Sequence, residues 1–595
     1  MVLARLAGAA VLAALSAGAA EARPRTWVNP LDIDYRYNWE QVRQGISYRT
    51  AADPVIVRHR GGYVLFQTLA DGYWVSRDMV DWRFVRPNLW PDRSVVAPAA
   101  WSDGERVYMM PSRMEPGAVF ESTDPASGQW RFFTRVMEPL PGMSDAANRP
   151  NPPPGVVPPG PWDPSFFKDD DGRWFMYWNS SNLWPLYAIE IDHARKFAYV
   201  GKPAPVIALD RAKHGWERFG QDHVDDRDPF IEGAWMTKHA GRYYLQYGAP
   251  GTEYNVYATG TYVGAGPLGP FSYAPWNPVA YKPGGYVQGA GHGSVVEDAH
   301  GNWWLSGTPW IGYNWTFERR LGMWPVKFWP DGQMSAFVRF GDFPHYMPTD
   351  KVDDPERLFT GWMLLSYRAA ATASSTLEDF AASRVTDEDP RSFWVARANR
   401  AGETLTLDLG AVKTLRAVQV NFADYKSERF EDADDIYTEF ALEASADGRR
   451  WREVARTEAP RRDRPNAYFE LKAPARARYL RYVHGHVGAR HLAVADIRVF
   501  GSAGTGAPAA PVLRSAVRQR DTRNAVIEWA PVRGAVGYNV RWGVAPDRLV
   551  QSYQRFHDQG TRLELRALNV GVGYHVAIEA FDERGVSGLS RTMAF

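Results

Sequence analysis

The chain has 595 residues, with 69 basic against 68 acidic side chains, 25 Trp, 29 Tyr, 28 Phe and no Cys. That length calls for roughly two to four domains, and the near-neutral balance gives no reason to expect nucleic acid or an anionic membrane as partner. The absence of Cys excludes disulfides, zinc–thiolate sites and a thiol nucleophile. At the N-terminus, "MVLARLAGAAVLAALSAGAAEARP" combines Arg5, an apolar run and the small-residue site Ala20-Glu21-Ala22. It reads as a signal peptide over residues 1–22, too short in its apolar part to span a bilayer comfortably. The remainder is expected to be exported, secreted or periplasmic, with no membrane insertion.

From residue 23 to 348 short β-type runs dominate and repeat. Five segments read as strand, Gly-containing turn and aromatic-rich strand: "DPVIVRHRGGYVLFQT", "VVAPAAWSDGERVYMM", "DPSFFKDDDGRWFMYW", "EGAWMTKHAGRYYLQY" and "HGSVVEDAHGNWWLSG". Each is a β-hairpin signature. Aligned on Gly62, Gly104, Gly172, Gly241 and Gly301, the intervals are 42, 68, 69 and 60 residues, enough for about four strands per unit and hence a five-bladed β-propeller. Asp53, Asp163, Glu232 and His292 each stand nine residues before the aligned Gly, and Val95 holds that place in the second repeat. In a propeller such positions converge on one mouth of the central channel. Three carboxylates and an imidazole at a concave axial site point to acid–base chemistry, because structural needs alone do not gather acids.

These segments resemble glycoside hydrolase family 43, the inverting five-bladed propeller enzymes. The resemblance implies Asp53 as general base, Asp163 as modulator of pKa and orientation, and Glu232 as general acid. It places His292, in "GAGHGSVV", in the central channel near water or a structural Ca2+ that the chemistry does not require. It puts an active-site Arg in "FERRLGMWPVKFWPDGQM", where Arg319 and Arg320 both qualify. Inversion asks for an acid and a base roughly 6.5–9.5 Å apart, with the acid's pKa raised by burial or a negative neighbour. Trp74 and Trp162 are candidates to stack on the sugar, and Asp32 or Asp34 to touch it. The partner is then an oligosaccharide or polysaccharide. The favoured activity is exo-release of α-L-arabinofuranosyl or β-D-xylosyl units; the alternatives are another sugar such as a β-galactoside, or a binding protein without turnover. "KDDDG" and the Asp-box-like "SRDMVDW", "STDPASGQW" and "SADGRRW" read as solvated turns.

The C-terminal third changes character. Residues 362–502, with "ASSTLEDFAASRVTDEDPRSFW" and "ETLTLDLGAVKTLRAVQVNF", resemble a discoidin-type jelly roll similar to family 32 carbohydrate-binding modules. Strand-like alternation independently supports a β-sandwich, with Trp394 and Tyr425 as candidate ligand residues. "GSAGTGAPAAP" reads as a linker. Residues 507–595 resemble a fibronectin type III domain, with Trp529 and Tyr574 in its core and no converging polar cluster. The fold class is all-β throughout.

Overall fold

The computed structural model describes residues 25–37, 48–91, 95–113, 117–148, 153–312, 316–430 and 432–595. The signal-peptide reading lies outside the described residues. No helix among those described is long and apolar enough to cross a membrane.

Five consecutive antiparallel sheets form the blades of a propeller. The first is Val55–His59, Gly62–Phe66, Tyr73–Ser76 and Arg83–Val85; the second is Ala99–Ser102, Val107–Met110, Val119–Asp124 and Gln129–Thr134. The third runs Ser165–Lys168, Trp174–Trp178, Leu186–Asp192 and Ala198–Ile207, and the fourth Glu232–His239, Arg242–Ala249, Ala258–Gly264 and Phe271–Tyr273. In the fifth, Gln288–Gly291 and Val295–Glu297 both pair with Trp303–Trp310, followed by Gly322–Phe328 and Met334–Ala336. The innermost strand of that blade is thus broken at His292. Neighbouring blades touch in cyclic order, and Val295–Glu297 closes the ring against Val55–His59. Second strands such as "WFMYW" are buried at every position, because blades pack on both of their faces, and aromatic side chains fill the wedges between them.

At the head of its innermost strand each blade carries one residue in the left-handed region: Asp53 (φ 53°), Ala97 (34°), Asp163 (43°), Gly233 (64°) and His292 (42°). Positive φ is uncommon outside Gly and clusters where function fixes the backbone. This ring corrects two expected equivalences. Ala97, not Val95, occupies the place in the second blade. In the first blade the left-handed turn residue is Gly61, since His59 pairs with Gly62 just as His239 pairs with Arg242 across Gly241. Gly233 is therefore the true counterpart of Asp53, and Glu232 stands one residue upstream, at a register shift in its strand.

Beyond the propeller, eight strands from Met363–Leu364 to Ala493–Ser502 form one rolled sheet built around the long, bent strands Thr404–Phe422 and Asn466–Val487. A three-stranded and a four-stranded sheet then make the C-terminal sandwich, with Trp529 and Tyr574 buried between them. The expected linker does not leave the sandwiches free. One apolar cluster joins Phe340 and Phe343 of the propeller end, Trp362 and Phe500 of the rolled sheet, and Phe556 and Phe581 of the C-terminal sandwich. A second packs Trp216, Tyr247 and Tyr281 of the propeller with Trp529, Tyr538 and Trp542. Phe343 is fully buried and its ring lies 5.6 Å from Phe500 and 6.3 Å from Phe581. Phe343→Ala is expected to cost roughly 3–5 kcal/mol and to lower the whole thermal transition in scanning calorimetry. An unchanged transition would show that the three units are stable independently.

Candidate active site

Asp53, Asp163, Glu232 and His292 come from the first, third, fourth and fifth blades and meet at the axis. His292 Nδ1 lies 3.1 Å from Asp53 Oδ1 and 3.8 Å from Asp163 Oδ2. One donor atom from each of Asp163, Glu232 and His292 falls within 4.8 Å of the others. Asp53 and Asp163 are each 6% exposed.

Hydroxyl groups fix each carboxylate, and the sequence reading did not single them out. Thr68 Oγ1 accepts the Ala97 N–H (2.7 Å), which leaves its proton to donate to Asp53 Oδ2 (2.5 Å). Ser112 Oγ accepts the Asp163 N–H (2.8 Å) and donates to Asp163 Oδ1 at 3.3 Å. Ser180 Oγ and the Tyr257 hydroxyl donate to the two oxygens of Glu232, at 2.8 and 2.5 Å. Thr308 Oγ1 accepts the Asp53 N–H at 2.9 Å and donates to the His292 carbonyl. Thr68, Ser112 and Ser180 each lie two residues past the end of their blade's second strand. That shared offset is the signal that could have found them.

Glycines make room for the imidazole. A Cβ at Gly233 would fall 2.5 Å from the His292 ring, and one at Gly248 2.9 Å from the His292 backbone nitrogen. The fourth blade thus gives up its side chain at the ring position to His292 and supplies its acid from the preceding residue.

The profile of glycosyl hydrolases family 43 matches residues 43–334, and that of the F5/8 type C domain matches residues 370–491. The propeller is a family 43 glycosyl hydrolase domain. Curated relatives include a beta-xylosidase of Xylanibacter ruminicola, 30% identical over 160 residues that cover 24% of this chain and 47% of that protein. Another is xylosidase/arabinosidase 43A of Humicola insolens, 28% identical over 250 residues, covering 36% of this chain and 66% of that protein. The matches thus span about half to two thirds of those relatives' lengths. A solved structure described as a glycoside hydrolase is 18% identical, covers 76% of this chain and 97% of its own, and superposes with a TM-score of 0.43.

Within the family 43 domain the electrostatics are set by burial. Asp163 is pushed up to about 7 by burial first and by the charges of Glu232 and Asp53, with His292 opposing. Burial alone would lower His292, but Asp53, Asp163 and Glu232 outweigh it and raise its pKa above the ordinary imidazole value. Glu253 is a fourth acid near this site that the sequence reading missed. Burial and the charge of Glu232 raise it, while Arg227 and Arg319 act against the rise.

The two Arg candidates separate. Arg320 is fully buried and points away, with Nε on Asn466 Oδ1 (3.2 Å) and Nη1 on the carbonyls of Arg49 (2.6 Å) and Arg319 (3.0 Å). Arg319 is 9% exposed, its Nε meets no hydrogen-bond partner among the described residues, and its charge acts on His292 and Glu253. Trp162 is half-buried beside Asp163. Trp74 is fully buried against Phe84 and donates its Nε1–H to Asp34 Oδ1 (2.5 Å), so it presents no face to a sugar. Asp34 is raised to about 6 by burial against that Trp74 bond. Asp32 is held below its usual range because Arg462 and Arg464 outweigh its burial, and it also accepts the Tyr468 N–H at 3.0 Å. Neither acid joins the axial cluster. In the rolled sheet, Trp394 is core with no exposed surface, whereas Tyr425 is half-buried in an aromatic group with Phe380 and Phe393.

An acid raised on folding favours the folded state most when protonated, and that advantage is lost as pH climbs through the folded pKa. The Asp163 contribution therefore declines from the ordinary 3.8 up to about 7. Asp163→Asn is expected to melt progressively higher than the wild type as pH rises across that window, with the gap constant above it. A pH-independent gap in thermal unfolding would place the raised group elsewhere.

Proposed function

We propose that this chain is an exported, inverting exo-glycoside hydrolase that releases terminal α-L-arabinofuranosyl or β-D-xylosyl units from polysaccharide or oligosaccharide. The supporting observation is the convergence of Asp53, Asp163 and Glu232 around His292. In this reading Glu232 gives its proton to the glycosidic oxygen. The carboxylate left behind is already met by the hydroxyls of Ser180 and Tyr257, so negative charge develops onto waiting donors. Asp53 takes a proton from the attacking water. Thr68 and His292 hold its two oxygens in fixed directions, which orients the remaining lone pairs. Asp163 stands close enough to Glu232 that two adjacent anions are disfavoured, and the charge of Glu232 adds to the burial that pushes Asp163 up to about 7.

Arg319 is the group we assign to sugar hydroxyls, because its charge acts on His292 and Glu253 at the axis, and Trp162 offers a ring beside Asp163. The names of the two curated relatives support a pentose as the released sugar. Asp163, Glu232 and His292 do not fit Ca2+ as direct ligands: that ion takes six to eight oxygens, and here one of the three donors is an imidazole nitrogen. No step runs through an ion. The rolled sheet, an F5/8 type C domain, is read as carbohydrate-associated, and the C-terminal sandwich as a fibronectin type III spacer.

The test is hydrolysis of a panel of nitrophenyl glycosides and matching oligosaccharides. Wild type is expected to release one pentose with inverted anomeric configuration, followed by NMR. Glu232→Gln should lose about 10²–10⁴-fold in kcat on the oligosaccharide and much less on aryl glycosides, whose leaving groups need little protonation. Asp53→Asn should lose a similar factor on both. Release of galactose would reassign the sugar, a retained configuration would overturn the mechanism, and sugar binding without turnover would make this a binding protein.

A further inference from the structure

The segment that delivers Asp53 to the axis is held from outside the propeller. Arg49, four residues upstream, is 2% exposed and lies between two acids of the F5/8 type C domain. Its Nε and Nη2 donate to the two oxygens of Asp463 at 2.6 and 3.1 Å, and its Nη1 donates to Asp424 Oδ1. Its backbone N–H also donates to Asp424 Oδ2 (3.1 Å), while its carbonyl accepts from Arg320 Nη1 (2.6 Å). Tyr37 covers the guanidinium face at 4.4 Å. Asp463 is itself fixed by Thr438 Oγ1 at 3.0 Å, and Asp424 has no exposed surface.

From this clamp to Asp53 the chain has no slack. Thr50 Oγ1 donates to the Phe317 carbonyl (3.0 Å) and accepts the Arg319 N–H (3.2 Å). The Ala51 N–H donates to the Arg319 carbonyl (3.1 Å), and the Ala52 carbonyl accepts from the Thr68 N–H (2.9 Å). Arg319 and Thr68, both placed at the site above, are thus tied to the same five-residue stretch as Asp53. A displacement at Arg49 would move three site groups together.

We infer that Asp424 and Asp463 are positioning residues for the family 43 active site, and that the F5/8 type C domain is a part of the catalytic unit and not a detachable binding module. This rests on reading Asp53 as the general base. A guanidinium gripped bidentately by Asp463, with Asp424 taking its Nη1 and the Arg49 backbone N–H, is fixed in direction as well as distance, and a base displaced by about 1 Å costs on the order of 10²-fold in rate.

The full-length variants Asp424→Asn and Asp463→Asn keep side-chain shape but remove the charge that orients Arg49. Each is expected to lower kcat about tenfold or more on the preferred oligosaccharide with little change in KM. The acidic limb of the kcat profile should shift as the Asp53–His292 geometry relaxes. Because a buried Arg left short of a partner destabilises the fold, the double variant Arg49→Gln/Asp463→Asn is measured alongside, with thermal unfolding on every sample. Removing both charges should recover the melting temperature while kcat stays low. Recovery of kcat together with stability, or wild-type kcat in both single variants, would overturn the inference alone. An inactive wild type would overturn the proposed function and leave these acids no base to position.

Discussion

The carboxylates of Asp53, Asp163 and Glu232 share the propeller axis with the imidazole of His292, and the repulsion among them dictates what the surrounding protein supplies. Isolated buried anions are costly, and three together more so. The structure meets this with an imidazole and a carboxyl whose pKa values are both raised, and with a set of hydroxyl donors. His292 Nδ1 faces both Asp53 and Asp163, and Asp163 is raised to about 7. Thr68, Ser112, Ser180 and Tyr257 then take up the remaining oxygens. This balance requires His292 to enter the space between blades. Its left-handed backbone, the break in the innermost fifth-blade strand and the missing side chain at Gly233 all follow from that requirement.

The blades themselves are ordinary aromatic-rich hairpins, and their burial is what makes such a site affordable. Directional precision comes from elsewhere. Each blade's left-handed residue is fixed by a hydroxyl or by shape from a neighbouring blade, as when Thr308 of the fifth blade accepts the Asp53 N–H. The site is therefore a property of the closed ring. No single hairpin contains it.

The same dependence extends beyond the ring. Charged groups that would otherwise look like excess polarity in an interface, Arg49, Arg320, Asp424 and Asp463, are buried together at the contact of propeller and rolled sheet. Asp32 is committed there too, bonded to Arg464 and to the Tyr468 N–H. The aromatic clusters around Phe343 and around Trp542 weld the C-terminal sandwich to the propeller and, around Phe343, to the rolled sheet. A chain that reads as beads on a string is packed as one body.

Much of this was legible in the sequence. Asp53, Asp163, Glu232 and His292 were found by a shared offset from a turn Gly, and that offset worked because hairpin geometry is local: strand length and turn type fix where a residue sits along its blade. The offset was imperfect for the same reason. Gly62 stood in for Gly61, and Val95 for Ala97, since one-residue differences in turn length are invisible until pairing is known. Trp74 and Trp394 show the other limit, because composition marks a large aromatic ring but cannot say whether it faces a core or a ligand. Arg319 and Arg320 are adjacent in sequence and opposite in fate: one acts on the axial charges, and the other is consumed by Arg49 and Asn466. The sequence by itself determined the all-β class, the hairpin repeat and the identity of the converging acids, which depend on short-range periodicity. Only the tertiary structure decided which hydroxyls hold those acids, which Arg faces the axial charges and that a second domain grips the segment bearing Asp53. Those outcomes depend on side chains facing one another across tens to hundreds of residues, and no local spacing encodes them.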